Sequence, residues 1–139
     1  MVVAGRGCQP RAVTPRVLIV DDHAPFRSLA RRLLEAGGLS VVGEAVDGAG
    51  ALVAVRDLAP DVVLLDVQLP DTDGFTVAEI LACEPAAPVV VLVSSRALRD
   101  YGPRVDASTA RGFIAKADLS GETLLRVIDG PGRPVPCSG

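Results

Sequence analysis

Residues 62–68 read Val-Val-Leu-Leu-Asp-Val-Gln, an apolar run that ends at an acidic residue, Asp66. A run of this length, bounded by turn residues, is typical of a strand that is buried on both faces of a parallel sheet. The next six residues, Leu-Pro-Asp-Thr-Asp-Gly at 69–74, are rich in turn formers. The stretch therefore predicts a buried strand that delivers a carboxylate to a loop at its carboxyl end.

Three further apolar runs end in polar residues in the same way. The first is followed by Asp21 and Asp22, another by Ser94, and the last by Lys116. In an open α/β sheet, ligands bind at the edge formed by the carboxyl ends of the strands. We therefore expect three carboxylates, a hydroxyl and a lysine to meet at one edge, where they could hold a divalent cation and accept a phosphoryl group.

Strands and helices alternate along the chain. The predicted strands are residues 16–21, 40–45, 62–66, 89–93 and 112–115, and the predicted helices run from about Pro25 to Gly37, over 48–58, 75–83 and 97–106, and from Ser120 onward. This alternation predicts an α/β fold with a flavodoxin-like, doubly wound, five-stranded parallel sheet in the order 2-1-3-4-5 and helices on both faces. The helix at 97–106 is the weakest element, because Gly102 and Pro103 interrupt it.

Length and composition favour one domain whose core is aliphatic. The chain has 139 residues, of which 49% are hydrophobic and only 3% aromatic. We expect a flexible N-terminal extension over residues 1–14, a folded domain over 15–130, and a disordered tail without an output domain over 131–139. A net charge of −3 offers no general attraction to nucleic acid phosphates. With neither a signal segment nor a membrane span, the sequence predicts a cytoplasmic protein that binds neither nucleic acid nor membrane directly.

These features together resemble the receiver domain of bacterial two-component response regulators, over about residues 15–130. The resemblance rests on the acidic pair Asp21-Asp22, on Asp66 within the Asp-X-X-Leu-Pro loop, and on the run Gly-Phe-Ile-Ala-Lys at 112–116. The segments at 94–96, 101–104 and 110–113 are similar to those of stand-alone receivers of actinobacteria.

The resemblance implies a role for each residue of the site. Asp66 would be the phosphoacceptor, and the donor would be a sensor histidine kinase or a histidine phosphotransfer protein. Mg²⁺, which prefers oxygen ligands, would be the cofactor. Its ligands would be Asp22, Asp66 and the backbone carbonyl of Gln68, together with Asp21, which would act through a bound water. Ser94, Lys116 and Phe113 would bind the phosphoryl group or switch with it, although Phe113 could also be a core residue with a single conformation.

Two residues are candidates for tuning the lifetime of the phosphoryl group. Gln68 lies two residues after the acceptor and Arg96 two residues after the switch serine, so both side chains could flank the phosphorus and limit access of water. The alternative for Arg96 is a side chain that points to solvent. His23 is interpreted as a loop residue beside the site, and Asp71 and Asp73 as residues that shape the loop and cap the third helix.

The resemblance also implies an output surface. It is the α4-β5-α5 face, formed by the helix at 97–106, the strand at 112–115 and the helix that follows Ser120, and it would bind a downstream protein that the sequence does not identify. Ala117 stands where many receivers have proline after the lysine, so we expect a trans peptide at 116–117. Ser94 replaces the commoner threonine and keeps the hydroxyl.

Two other functions compete with this interpretation. A phosphohydrolase of the haloacid dehalogenase type would need an acid two residues after its nucleophile, where this chain has Gln68. A receiver-like interaction module that is never phosphorylated would typically have lost one of the key groups, and none is lost. We therefore expect a phosphorylated signalling switch rather than a metabolic enzyme.

Overall fold

Strand β3 (Val62–Asp66) lies at the centre of a five-stranded parallel sheet in the computed structural model, which describes residues 14–130. The other strands are β1 (Arg16–Val20), β2 (Ser40–Ala45), β4 (Val89–Ser94) and β5 (Gly112–Ala115), and the order is 2-1-3-4-5. Every neighbouring pair is parallel. The predicted flavodoxin-like α/β fold is confirmed. The extension predicted over 1–14, apart from Thr14, and the tail predicted over 131–139 lie outside the described residues.

Helices cover both faces of the sheet. They are α1 (Ala24–Ala36), α2 (Gly48–Leu58), α3 (Gly74–Ala82), α4 (Pro103–Ala107) and α5 (Gly121–Asp129). Short polar side chains begin three of them: Asp47, Asp73 and Ser120 each accept a backbone N–H of the first turn. The longest described helix, α1, has 13 residues, and no helix within residues 14–130 is long and apolar enough to cross a bilayer.

Two apolar layers hold the helices against the sheet. On one face, Ala30 and Leu34 of α1 and Leu124 of α5 pack on alternate residues of the strands. On the other face, α2, α3 and Val105 of α4 pack on the intervening residues. Because alternate strand residues point to opposite faces, a continuous aliphatic run such as β3 supplies both layers. This burial fixes the positions of the strands and therefore of the residues that follow them.

The prediction of one continuous helix over 97–106 is wrong. The segment forms a single 3₁₀ turn at Leu98–Asp100, then a bend, and then the five-residue helix α4. Gly102 adopts a φ of 54°, a conformation that favours glycine, and Pro103 lacks an N–H and therefore begins a new helix rather than continuing one. The element next to the predicted switch serine is therefore a bend between two short helices.

Candidate functional site

The predicted phosphoacceptor Asp66 is the last residue of β3, with only 4% of its surface exposed. Asp21, fully buried, directly follows the neighbouring strand β1. Lys116 follows β5, and its Nζ lies 2.6 Å from Asp21 Oδ2 and 3.4 Å from Asp66 Oδ2. The structure thus brings together three of the residues that the sequence predicts for the site, and the lysine lies closer to Asp21 than to the predicted acceptor.

The two buried carboxylates have opposite pKa shifts. Burial, together with the charge of Asp21, raises the pKa of Asp66 to about 6, although Lys116 and the Gln68 amide act in the other direction. Burial also raises the pKa of Asp21, but Lys116 and the His23 amide outweigh it, and the net shift is downward. The Lys116 ammonium therefore favours the ionised form of Asp21, whereas burial and the charge of Asp21 favour the protonated form of Asp66.

Both oxygens of the Asp21 carboxylate have a partner. Oδ1 accepts the backbone N–H of His23 at 2.7 Å, and the buried Oδ2 lies 2.6 Å from the Lys116 ammonium. Each carboxylate oxygen has two lone pairs, so one contact does not exhaust its acceptor capacity. A buried carboxylate of this kind can therefore serve a hard cation as well as the lysine.

Four side chains could hold a metal ion together. Asp21, Asp22, His23 and Asp66 each offer one ligand atom, and these atoms lie within 4.8 Å of one another. The Asp22 side chain is 35% exposed. His23 was interpreted from the sequence only as a flanking residue, yet its Nδ1 lies 3.1 Å from both Asp21 Oδ1 and Asp22 Oδ1. The oxygen-rich set fits Mg²⁺, which takes one or two carboxylates and keeps several waters.

The loop after β3 is held close to the acceptor by its own backbone. The Gln68 N–H donates to Asp66 Oδ1 at 3.2 Å, and the side chain of Gln68 is exposed. Gly74 is required by a close approach, because a Cβ there would lie 2.5 Å from the Asp66 carbonyl oxygen. Asp73 caps α3, as expected, and Asp71 accepts the N–H groups of Gly48 and Ala49 at the start of α2. The two outer acids of the loop are therefore used to shape it.

Ser94 ends β4 and is buried, with 1% of its surface exposed. Its hydroxyl accepts the Arg96 N–H at 3.0 Å and shares a hydrogen bond of 2.7 Å with the hydroxyl of Tyr101. Arg96 itself is an exposed residue. Phe113 on β5 is partly buried, and its ring centroid lies 5.8 Å from that of Tyr101. Ser94 and Phe113 are therefore both in contact with Tyr101.

Two aromatic residues at the site were missed by the sequence analysis. Tyr101 lies in the segment predicted as a helix, where nothing local indicates a contact with Ser94. Phe26 lies in the first turn of α1, and the Nζ of Lys116 is 4.4 Å from its ring centroid, a cation–π distance. The only available signal was its position one turn after the acidic pair. The Lys116–Ala117 peptide is trans, as expected, and a 3₁₀ turn begins at Lys116.

Comparison with known proteins agrees with this geometry. The profile of the response regulator receiver domain matches residues 17–129. A protein-glutamate methylesterase/protein-glutamine glutaminase of Anaeromyxobacter dehalogenans is 42% identical over 117 residues, which cover 84% of this chain and 33% of that protein. A gliding motility regulatory protein of Myxococcus xanthus is 39% identical over 123 residues, covering 86% of this chain and 16% of that protein. The chain spans a third or less of the length of these two curated relatives.

A solved structure is also similar. The signal receiver domain of NarL from Mycobacterium tuberculosis superimposes with a TM-score of 0.75 at 34% identity, and the match covers 84% of this chain and 98% of that one. The fold, the acidic edge and the sequence match lead to one assignment. The chain belongs to the response regulator receiver domain family of two-component systems.

Proposed function

We propose that this domain accepts a phosphoryl group on Asp66 from the phosphohistidine of a sensor histidine kinase or a histidine phosphotransfer protein. The observation that carries the proposal is the position of the Asp66 carboxylate, which lies at the end of the central strand, beside Asp21 and within reach of Lys116. An ionised carboxylate in this position is a nucleophile with a positive charge next to it.

The transfer is a simple displacement at phosphorus. An oxygen of Asp66 forms a bond to phosphorus while the phosphorus–nitrogen bond of the donor breaks, and the departing imidazole takes up a proton from water. The Lys116 ammonium, already 3.4 Å from Asp66 Oδ2, then balances the charge of a phosphoryl oxygen. Phosphoryl transfer depends mostly on positioning and charge stabilisation, so few groups are needed.

Mg²⁺ fits the same residues. We assign Asp21, Asp22, Asp66 and the backbone carbonyl of Gln68 to its site. The proximity of the three carboxylates supports their part in this set, and the Gln68 carbonyl is included because of the family resemblance. When bound, the cation supplies positive charge that neutralises the acids and the phosphoryl oxygens. Titration of the unphosphorylated protein with Mg²⁺, followed by NMR, should first perturb residues 21–23, 66–69 and 116. Shifts centred on Asp71 and Asp73 would contradict the assignment.

The output is a change in partner binding through the α4-β5-α5 face. Ser94, Lys116 and Phe113 are the proposed groups that sense the phosphoryl group, and Gln68 and Arg96 the proposed tuning residues. A groove of about 480 Å³ lies on this face, lined among others by Phe113 of β5 and by Thr123 and Arg126 of α5. Its position directly beside the switch residues supports its use as the surface for a downstream protein.

The proposal describes a signalling switch rather than a metabolic enzyme. The methylesterase named above is a longer protein, and this chain matches a third of it. We expect no direct contact with nucleic acid or membrane, and the cytoplasmic location is likewise an expectation from the family. The two competing functions are less well supported, because the chain matches the receiver family over most of its length and retains every key group.

Labelling with acetyl phosphate in the presence of Mg²⁺ tests the proposal. Stable incorporation of one phosphoryl group is expected, and Asp66→Asn should abolish it. Asp71→Asn is the matched control, because it makes the same change five residues away in the loop and should retain labelling. Undiminished labelling of Asp66→Asn would refute the assignment of the acceptor. Turnover of free phosphate esters would indicate a hydrolase, and no reaction at all would indicate an unphosphorylated module.

A further inference from the structure

Tyr101 contacts the switch serine directly, although it belongs to none of the predicted site residues. Its hydroxyl lies 2.7 Å from Ser94 Oγ, a short hydrogen bond in which either group could be the donor. Ser94 Oγ also accepts a hydrogen bond from the Arg96 N–H at 3.0 Å. Among the described residues, no hydrogen bond joins Ser94 to Asp66 or Lys116.

Burial favours one direction for the Ser94–Tyr101 hydrogen bond. Ser94 is 1% exposed, and a buried hydroxyl needs an acceptor for its proton. Within the described chain, the acceptor that it reaches is the oxygen of Tyr101. Tyr101 is less buried than Ser94, so the need for an acceptor within the chain is greater for the serine proton. We therefore assign Ser94 as the donor, so that its proton is engaged by Tyr101.

The tyrosine ring is held between two other aromatic rings. Its centroid lies 5.8 Å from that of Phe75 at the start of α3, in an edge-to-face arrangement, and 5.8 Å from that of Phe113. The guanidinium of Arg104 covers the Phe75 ring at 4.3 Å. Removal of the hydroxyl alone would therefore leave the ring packed in the same place.

The backbone around Tyr101 can rearrange more easily than a helix. Tyr101 and Gly102 form the bend between the 3₁₀ turn at Leu98–Asp100 and the helix α4. Gly102 has a positive φ, and α4 has only five residues. Because the segment contains few helical hydrogen bonds, a change in the position of Tyr101 should cost little free energy.

From these contacts we propose that Tyr101 is a positioning residue that restrains the Ser94 hydroxyl in the unphosphorylated state. This inference rests on the proposed phosphorylation of Asp66. Phosphoryl oxygens only accept hydrogen bonds, so Ser94 can donate to the phosphoryl group only if it releases the tyrosine oxygen. When Ser94 donates to the phosphoryl group, its hydrogen bond to Tyr101 breaks and the bend before α4 is released. Tyr101 belongs to this bend and therefore connects the phosphorylation site to the α4-β5-α5 face.

The first test measures the affinity for beryllium fluoride, a mimic of the phosphoryl group, in the presence of Mg²⁺. Tyr101→Phe should bind beryllium fluoride about two- to tenfold more tightly than the wild type, because one competing hydrogen bond of ordinary strength is lost. Unchanged or weaker binding by Tyr101→Phe would overturn the inference. If the wild type fails to bind beryllium fluoride at all, it is the proposed function that fails.

The control is the same substitution in a background without the serine hydroxyl. In Ser94→Ala, the further change Tyr101→Phe should leave the affinity for beryllium fluoride unaltered. Residue 94 then has no hydroxyl that Tyr101 could restrain. An equal gain in both backgrounds would show that the tyrosine acts on the site independently of Ser94 and would overturn the positioning role. Thermal unfolding of each variant separates this effect from general stability.

A spectroscopic measurement follows the bond itself. The chain contains one tyrosine and no tryptophan, so the intrinsic tyrosine emission comes from Tyr101 alone. Saturation with beryllium fluoride should change this emission in the wild type, because the hydroxyl loses its partner. In Ser94→Ala, where that partner is already absent, the change should disappear. An emission change of the same size in both proteins would contradict the release of Tyr101 from Ser94.

Discussion

Replacement of the Asp66 carboxylate by the amide of asparagine should make the protein more stable at neutral pH when no divalent cation is present. The reason is the environment of the acid, where burial and the charge of Asp21 raise the pKa from its ordinary value of 3.8 to about 6. An acid whose pKa is higher in the folded state binds more protons there than in the unfolded state. Its ionisation therefore disfavours folding.

The size and pH range of this effect follow from the two pKa values. Below about pH 3.8, Asp66 is protonated in both the folded and the unfolded state, and it costs no stability. The loss of folding free energy grows between about pH 3.8 and pH 6 and is complete above about pH 6. At about 1.4 kcal/mol per pH unit, the full difference corresponds to about 3 kcal/mol. Water at the open edge of the sheet screens part of it, so we expect Asp66→Asn to gain about 1–2 kcal/mol at pH 7.5. At pH 4.5 the gain should fall to about a third of that value.

Urea unfolding of the wild type and Asp66→Asn at both pH values, in the presence of a chelator, measures the effect. Asp71→Asn is a control with the opposite sign, because the N–H groups of Gly48 and Ala49 lower the pKa of Asp71. Its carboxylate stabilises the fold above about pH 3.8, so the substitution should destabilise the protein at pH 7.5. Mg²⁺ should narrow the gap between the wild type and Asp66→Asn. A less stable Asp66→Asn at pH 7.5 without cations would refute the reasoning.

Three further predictions concern residues around the acceptor. Gly74→Ala should lower the free energy of unfolding, measured in urea, by about 1–3 kcal/mol, because the new Cβ would lie 2.5 Å from the backbone carbonyl oxygen of Asp66. Unchanged stability would show that the loop can move away without cost. Phe26→Leu should weaken beryllium fluoride binding about two- to fivefold, since the ring no longer holds the Lys116 ammonium, and an unaltered affinity would assign Phe26 to packing alone. Gln68→Ala and Arg96→Ala should change the dephosphorylation rate of the labelled protein by more than they change its free energy of unfolding. Surface substitutions usually change the latter by under about 0.5 kcal/mol. Unchanged half-lives of the phosphoryl group in both variants would show that neither side chain limits access of water.

The bounds of most elements were predictable because the signals are local. The predicted ranges of strands β2, β3 and β5 and of helix α2 agree with the structure. Aliphatic runs and turn residues act within a few positions, and short connections and the handedness of βαβ units then restrict the strand order. The one large error is the continuous helix predicted over 97–106. Gly102 and Pro103 end one helical turn and begin a separate helix, and whether such a pair weakens or divides a helix depends on the contacts of the neighbouring side chains.

The sequence by itself determined that Asp21, Asp66, Ser94 and Lys116 follow parallel strands and so meet at one edge of a sheet. Only the tertiary structure decided which of them touch. It brought Lys116 closer to Asp21 than to Asp66, drew His23 into the acidic cluster, and gave Ser94 a partner in Tyr101. Strand ends are specified by neighbouring residues. Hydrogen-bond partners and pKa values depend instead on where side chains lie in space, and these positions are fixed only when the helices and loops pack against the sheet.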